Sequence, residues 1–415
     1  MSFMPIKTWL IVMKDNRFSS YLILFSLWLM MFSASSQTMI MSPILPLVGD
    51  QLQIPQEYLG TLITSYSVML GVFALITGPI SDRIGRRRIL LLGTGAMCIT
   101  LFLHYYVYDF ITLLLARALT GMAGGMLSGV APSYIGDYFP SEKRGWANGM
   151  VMTGIAAGQI LGIPFGTLLA DWFTFSMPFV FFSLPMALSF LLVLLYVPQP
   201  QVVREKLSSI GTSAGRYIDM LRNTQTLAAT GAYCMMFMGI TFYVIYLVVW
   251  IEETFGATGK EVASLFAVAG IASVIVGPWA GRLSDRIGRK IMIIGSCIGL
   301  FFLMAATTTV LTSFWMAYPL FFVIMVLVSA RMGPFQALLS ELVPDERRGS
   351  LMSLSIASGQ LVMGLCSLLA GFVYTNMGYT VSSIIGAIGM LIMGIIVWLF
   401  IPETRSDRPE PIIKI

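Results

Sequence analysis

Two short charged segments carry the residues with the clearest chemistry in this chain. Residues 78–87 read GPISDRIGRR and residues 281–290 read GRLSDRIGRK, so one pattern occurs twice. In each segment an aspartate ends an apolar run, and basic residues follow a glycine. A carboxylate at a helix end can accept from the free amides at the start of a neighbouring helix, and the basic side chains can pair with it. The pattern predicts an ion-pair latch between helix ends; a loop that only orients the chain in a membrane is the alternative.

A second repeat accompanies the first. Residues 137–145 read DYFPSEKRG and residues 341–349 read ELVPDERRG, at nearly the same offset. The glycines of the first repeat have distinct expected roles. Gly78 and Gly281 would let two helices approach closely, whereas Gly85 and Gly288 suit a tight turn. Two matches at nearly one offset predict a chain built from two related halves, a recurring plan among transporters.

Two arginines stand inside long apolar runs, where a charge is costly and is functional by default. Arg117 lies about two helical turns from one end of its run; snorkelling of its side chain to the nearer surface is the alternative. Arg331 has Leu127 as its counterpart in the first half. An anionic substrate and an internal ion pair would each explain it. We expect Arg331→Ala to abolish transport while leaving expression intact.

A glycine-rich run follows between residues 154 and 166, which read GIAAGQILGIPFG. Its glycines recur every four residues, a spacing that allows close helix packing. Pro164 supplies a bend. We therefore expect this helix to lie tightly against a neighbour.

These residues must be positioned by membrane-spanning helices. The chain has 415 residues, of which 57% are hydrophobic and 11% charged, whereas soluble domains carry about 25% charged residues. Twelve apolar runs are long enough to cross a bilayer. A polar stretch near 198–226 divides these runs into two sets of six. The end of this stretch suits an amphipathic helix on the membrane surface. The runs lie near 20–45, 57–80, 88–108, 110–138, 143–170, 174–197, 226–252, 258–281, 289–311, 313–341, 348–373 and 380–402.

The basic residues predict the orientation. Of the 25 lysines and arginines, Arg117 and Arg331 lie within spans and Lys260 lies in a loop on one side. The remaining 22 fall on the side of the N-terminus. Positive residues concentrate on the cytoplasmic side of membrane proteins, so both termini are expected in the cytoplasm and the protein in the cell (inner) membrane.

The chain resembles the major facilitator superfamily over essentially its whole length. The segment 281–290 matches every fixed position of the family's G-x-L-x-D-R-x-G-R-[KR] loop motif, and 78–87 has Ile80 in place of leucine. The resemblance implies an all-α membrane protein of twelve transmembrane helices in two pseudo-symmetric six-helix halves, 1–197 and 226–415, joined by a cytoplasmic linker, 198–225. It also adds Asp137 to the latch. The latch residues are then Gly78, Asp82, Arg83, Gly85, Arg86, Arg87, Asp137, Gly281, Asp285, Arg286, Gly288, Arg289 and Lys290.

Further expectations come from the same resemblance. Arg117 and Gly121 match the R-x-x-x-G motif of proton-driven members, which makes Arg117 and Asp137 the coupling candidates. The glycine-rich run resembles the helix 5 motif of exporters, carried here by Gly158, Gly162, Pro164 and Gly166. The family places helices 1, 4, 7 and 10 around the substrate cavity. In this chain those helices offer Gln37, Arg117, Tyr134, Tyr243, Tyr246, Arg331 and Gln336.

Proton coupling lacks an obvious carrier in the sequence. Many proton-driven relatives bury a carboxylate in helix 1, but this helix has Gln37 and no acid. If protons drive transport, the titrating group is Asp137, Asp82 or an acid at the outer helix ends, such as Glu252. His104 lies near the outer end of helix 3, where an interfacial position is the simpler explanation. The 29 methionines would suit the adaptable walls of a cavity that accepts varied apolar ligands. For any single methionine, a position that faces lipid is an equally good explanation.

The sequence therefore predicts a secondary transporter that exports a small organic solute (a drug-like compound, sugar or nucleoside) by alternating access in exchange for protons. The alternative is an uncoupled or import-direction carrier of the same fold, with an anionic solute as one option. An enzyme is disfavoured, because the chain has one histidine, scattered cysteines and no phosphate-binding loop. We expect no cofactor, metal or nucleic acid, and a monomer whose partners are the solute, protons and the bilayer.

Overall fold

The computed structural model describes residues 17–200, 210–343 and 345–403. The side chains of Asp82 and Asp285 and the surroundings of Gly281, all expected latch residues, lie outside this description. Within the described ranges the chain is helical with short connections and has no strand. Because hydrocarbon offers no hydrogen bonds to the backbone, a helix that satisfies its own amides is the form expected for such apolar runs.

The first half consists of six helices, several of them interrupted. Asp109 caps the start of the fourth helix, where its carboxylate accepts hydrogen bonds from the backbone amide and the hydroxyl of Thr112. These hydrogen bonds lower the pKa of the Asp109 carboxyl. The helices are α1 (Arg17–Met39, continued by Leu45–Leu52), α2 (Gln56–Ile84), α3 (Arg86–Leu103), α4 (Phe110–Ser128 and Val130–Tyr138), α5 (Ser141–Ala157, the π-helical turn Gly158–Gly162 and Ile163–Trp172) and α6 (Met177–Tyr196).

The second half repeats this arrangement. Its last two helices form one run, Asp345–Phe400, that Gly378 breaks with a φ of 78°. A helix Ile210–Arg222 lies in the linker between the halves. The helices are α7 (Thr224–Val244 and Leu247–Phe255), α8 (Gly259–Ile287), α9 (Arg289–Ala305), α10 (Ala317–Glu341), α11 (345–377) and α12 (379–400).

Nine helices in the described residues are long and apolar enough to cross a membrane by length and composition. One of the nine, Ser350–Phe400, contains both α11 and α12. Dividing that run at Gly378 and adding α8 and α9, which are not among the nine, gives the twelve helices expected from the sequence.

The two halves are related at the connections that hold the repeated charged segments. Gly85 and Gly288 both adopt a φ of 103°, which side chains other than glycine rarely accept. Gln199 and Glu403, each one residue after a proline, accept from backbone amides at the starts of α3 and α9. We call the end of the molecule that contains these connections the motif end and the other the opposite end.

The halves are joined mainly along α2 and α11. Gly60 lies against the backbone of Ser367, and Gly371 lies against that of Glu57, so these contacts reach the opposite end. Thr64 adds a hydrogen bond from Oγ1 to the carbonyl of Gly364, at 2.7 Å. Small residues permit this approach because nothing but hydrogen separates the two backbones.

The linker helix packs on protein at the motif end. Met220 is buried in one apolar cluster with Leu351 and Leu354 of α11, and Leu75 of α2 packs against the same cluster. The helix expected in the linker is therefore present, but part of its apolar face contacts both halves, whereas the sequence suggested a position along the membrane surface.

Candidate functional site

At the motif end each half contains one ion pair between the start of its third helix and the end of its fourth. Arg86 Nε lies 2.9 Å from Asp137 Oδ2, and both side chains are largely buried. Arg289 pairs in the same way with Glu341. The resemblance placed Asp137 in the latch but left out Glu341, although the second sequence repeat puts Glu341 at the equivalent position. Both pairs lie within one half, so they stiffen each half where the chain turns.

Two further residues at the motif end were absent from the predicted set. Gln199 Oε1 accepts from the Arg87 amide at 3.2 Å, and Glu403 Oε1 accepts from the Arg289 amide at 2.9 Å. Both cap the free amides at a helix start, the task expected of the repeated aspartates. The prolines before them, Pro198 and Pro402, lie at equal distances after the second repeat and were the available signal in the sequence.

The close approach expected at Gly78 is not seen among the described residues, because a Cβ added there would meet nothing within 4 Å. Ser81, by contrast, accepts from the Arg86 guanidinium. Gly78 therefore leaves room in this conformation, and its packing role stays a prediction for another state of the protein.

The glycine-rich run of α5 lies tightly against α1, as the spacing predicted. A Cβ on Gly158 would come within 2.9 Å of the Phe32 carbonyl oxygen, and one on Gly166 within 2.8 Å of Ile40. Gly154 and Gly162 meet Trp28 and Ser36 in the same way. Both partners therefore repeat every four residues, so two straight stripes are in contact. Around Gly158–Gly162 the helix widens to a π turn just before Pro164, a common cause of a bend.

The other face of α5 contacts the second half. A Cβ on Gly270 of α8 would lie 3.0 Å from the Cα of Ile160 in the π turn. The π turn of α5 is thus packed between α1 of its own half and α8 of the other. Any relative movement of the halves must change this contact.

Arg117 is wholly buried inside the first half and lies beside Gln37. Its Nη1 donates to Gln37 Oε1 at 3.1 Å, and its guanidinium carbon lies 4.5 Å from the centre of the Tyr66 ring. Tyr66 Oη in turn accepts from Gln37 Nε2 at 3.0 Å. Among the described residues no carboxylate pairs with Arg117. The cation is held by an amide and an aromatic face, which together replace part of its hydration.

The sequence search missed Tyr66 because it was confined to helices 1, 4, 7 and 10. It also favoured an interfacial position for His104, which is instead fully buried beneath the same cluster. The His104 ring lies 4.2 Å from the Phe179 ring, and Phe179 also faces the Arg117 guanidinium. Arg117 does not snorkel to the surface, since its side chain is 1% exposed.

Arg331 is buried in the second half among sulfur atoms. Its Nη1 contacts the sulfur of Met390 at 2.8 Å and that of Met393 at 3.3 Å, and Cys297 lies beside it. Among the described residues it has no carboxylate partner, so the internal ion pair considered above is not present here. Thioether sulfur is only a weak acceptor, which leaves this charge poorly compensated.

Tyr246 lies where the halves meet at the opposite end. Its hydroxyl donates to the Gln56 carbonyl at 2.9 Å and accepts from the Gly60 amide at 3.1 Å. Glu253, on the same helix, binds Gln56 Nε2 and the hydroxyl of Tyr374. We call this set the opposite-end joint. The hydrogen bonds of Tyr246 and Glu253 with α2 connect the two halves at that end.

The remaining cavity candidates are spread over the molecule. Tyr134 donates to the Pro198 carbonyl inside the first half, at the motif end. Tyr243 is bonded to Thr307 and Tyr379 inside the second half. Gln336 is exposed on α10. The structure thus brings Gln37 and Arg117 together but does not gather the predicted set, whose contact with a solute stays a prediction.

A cavity of about 470 Å³ lies beside the opposite-end joint. Asp50, Glu252 and Glu253 line it together with Gln53 and Gln56. The cavity therefore brings together acidic residues of both halves, at the end where the sequence predicts the outer carboxylates.

Comparison with known proteins agrees with this architecture. The family model described as "Major Facilitator Superfamily" matches residues 27–249 and 229–414. The chain is 25% identical to Multidrug resistance protein MdtG of Proteus mirabilis over 86% of its own length and 90% of that protein. It is also 25% identical to the uncharacterized MFS-type transporter YceJ of Bacillus subtilis, over 84% and 89%.

A solved structure has the same fold. A D-xylose-proton symporter superposes with a TM-score of 0.77 at 18% identity, covering 94% of this chain and 99% of the symporter. The sequence expectations of a twelve-helix membrane transporter, and of a protein that is not an enzyme, are confirmed. The chain is a multi-pass membrane protein and belongs to the major facilitator superfamily.

Proposed function

We propose that this transporter exports a small organic solute, such as a drug-like compound, a sugar or a nucleoside, by alternating access in exchange for protons. The observation that carries the direction is the similarity along nearly the whole chain to a protein named for multidrug resistance. The glycine stripe of α5, which resembles an exporter motif, supports it.

Alternating access is supported by the two ends of the molecule. The opposite-end joint holds the halves together through Tyr246 and Glu253. The motif-end ion pairs stay within their halves. In the proposed orientation the motif end is cytoplasmic, so an exporter of this kind must open at the joint to release its solute.

Asp137 is the proposed proton carrier at the motif end. Its carboxylate is held by Arg86 at 2.9 Å, so a proton on Asp137 would compete with that ion pair. Protonation would loosen the contact between α3 and α4 and so link the proton to the shape of the first half. Arg117, which is buried with no acid beside it among the described residues, is the second coupling candidate.

Transport into everted vesicles with an imposed proton gradient tests this proposal. A panel of labelled sugars, nucleosides and cationic dyes should reveal at least one compound whose uptake a protonophore abolishes. Asp137→Asn should remove the response to the gradient. Glu57→Gln, an exposed carboxylate on α2, is the matched control and should keep it. Uptake that ignores the protonophore would instead identify an uncoupled carrier.

An anionic solute is the second candidate. The specific observation in its favour is that Arg117 and Arg331 are both wholly buried and lack a carboxylate partner among the described residues. If the solute is an anion, the same vesicles should accumulate organic acids and should not accumulate cationic dyes.

A further inference from the structure

A groove of about 740 Å³ runs between α9 and α12 on the outer surface of the second half. Its walls are apolar and strongly exposed, with Ile291 and Trp398 each 63% accessible. In a membrane these walls face hydrocarbon. The apolar lining consists mainly of Ile291, Ile294, Ile298, Leu391, Ile395 and Trp398.

Two glycines line this groove, and the first half carries larger residues at the aligned positions. Gly295 and Gly394 both line the groove, and a Cβ on Gly295 would meet nothing within 4 Å. The first repeat aligns Gly295 with Leu92, and the equivalent prolines Pro198 and Pro402 align Gly394 with Phe190. In the first half both aligned positions therefore carry bulky apolar side chains.

The large and small residues are exchanged between the two helices. In the first half the Phe190 ring packs over Gly95 of α3, at 3.2 Å from a Cβ added there, whereas the aligned residues of the second half are Gly394 and Ile298. A Cβ on Gly394 would lie 3.0 Å from the Cβ of Cys297, so α12 approaches α9 closely there, and Gly295 is the glycine that leaves room in the groove.

The dimensions of the groove suit a lipid tail. From Lys290 to Ile298 it follows α9 for about 12 Å at the usual rise of a helix, within one leaflet of a hydrocarbon core about 30 Å thick. Burial from water cannot drive binding here, since the surroundings are already apolar. A chain held on three sides gains dispersion contacts instead.

The motif end of the groove supplies a charge. Lys290 Nζ donates to the Ile401 carbonyl at 2.8 Å, and an ammonium group has two more donors. Glu403, also at this end, is bound to the backbone amides of Arg289 and Lys290. Trp398 is exposed beside them, and indoles favour the interface between hydrocarbon and headgroups.

We propose that this groove binds one phospholipid of the motif-end leaflet, with an acyl chain between α9 and α12 and its phosphate at Lys290. This is a site outside the solute pathway. It is independent of the direction, coupling and solute proposed above.

Photo-crosslinking in nanodiscs tests the site. A phospholipid with a diazirine in its acyl chain is expected to label peptides of α9 and α12, and native mass spectrometry should show one retained phospholipid. Gly295→Leu, which restores the residue of the first half, should lose both signals. Leu191→Phe, which adds bulk to an exposed position on α6, should keep them. Lys290→Gln should weaken retention of the lipid.

Equal labelling of the Gly295→Leu protein would overturn the proposal, as would adducts spread evenly over lipid-facing helices. Crosslinks from the groove to a second copy of the chain would also overturn it. Circular dichroism and gel filtration of each variant show whether it is folded. Because no transport is measured, the result does not depend on the proposed function.

Discussion

Arg117 and Gln37 are joined by a hydrogen bond of 3.1 Å in the interior of the first half, where neither side chain reaches solvent. A buried cation without a carboxylate is expensive, and replacing buried charges by apolar residues is often neutral or stabilising, by about 1 kcal/mol or more. We therefore infer that Arg117 serves transport and not stability.

We therefore expect Arg117→Met to keep or raise the thermal unfolding temperature and to abolish transport. The measurements are unfolding of the detergent-solubilised protein and uptake into everted vesicles. Leu119→Met, at an exposed position of the same helix, is the control and should transport normally. A stable Arg117→Met protein with normal uptake would remove Arg117 from the mechanism.

Arg331 allows a similar test in the second half. Arg331→Met would place a thioether among Met390, Met393 and Cys297, a change that suits the site in polarity and volume. The expected result is a protein at least as stable as the parent that no longer transports its solute. If uptake persists, Arg331 is not needed for the solute or the conformational change. Val323→Met on the exposed side of α10 is the control.

Tyr246 is expected to control access at the opposite end. Tyr246→Phe removes two hydrogen bonds across the joint, each worth about 1 kcal/mol. A change of one to two kcal/mol shifts an equilibrium by a factor of about 5 to 30. A cysteine placed at Leu59, buried beside the joint, should then be alkylated faster by that factor. Tyr58→Phe, which changes an exposed residue on the helix of Leu59, is the control and should not change the alkylation rate. If Tyr58→Phe raises the rate as much as Tyr246→Phe does, the joint does not act as described.

Gly162 should tolerate no side chain. A Cβ there would lie 2.6 Å from the Cβ of Ser36, and overpacking of this kind costs about 1–3 kcal/mol. Gly162→Ala is expected to lower the unfolding temperature and reduce transport. Gly149→Ala, earlier in the same helix and with nothing described within 4 Å of its Cβ, should change neither. Equal stability of the two variants would show that α1 and α5 can separate at little cost.

Much of the fold could be predicted because hydrophobic length, charge asymmetry and an internal repeat are all properties of the chain itself. The turn glycines Gly85 and Gly288 and the packing of α5 were predicted for the same reason, since backbone geometry restricts residue type there. The side chains that surround Arg331 were not predictable in this way. Its neighbours come from α9 and α12, and no local spacing reveals which distant side chains meet a buried charge.

The contacts missed by the sequence are of the same kind. Tyr66 belongs to α2, a helix that a search of cavity helices leaves out, yet its ring covers Arg117. Gln199 and Glu403 act on amides more than a hundred residues away. The linker helix has an apolar face that water, lipid or protein could have covered, and only the fold decides between them.

The stripe of glycines between α1 and α5 has a mechanical consequence. With backbones this close over four successive turns, neither helix can slide or rotate on the other without steric overlap. In the proposed alternating access these two helices would therefore move together, and the halves would shift against each other at two seams. One seam is α2 against α11, and the other is the π turn of α5 against Gly270 of α8.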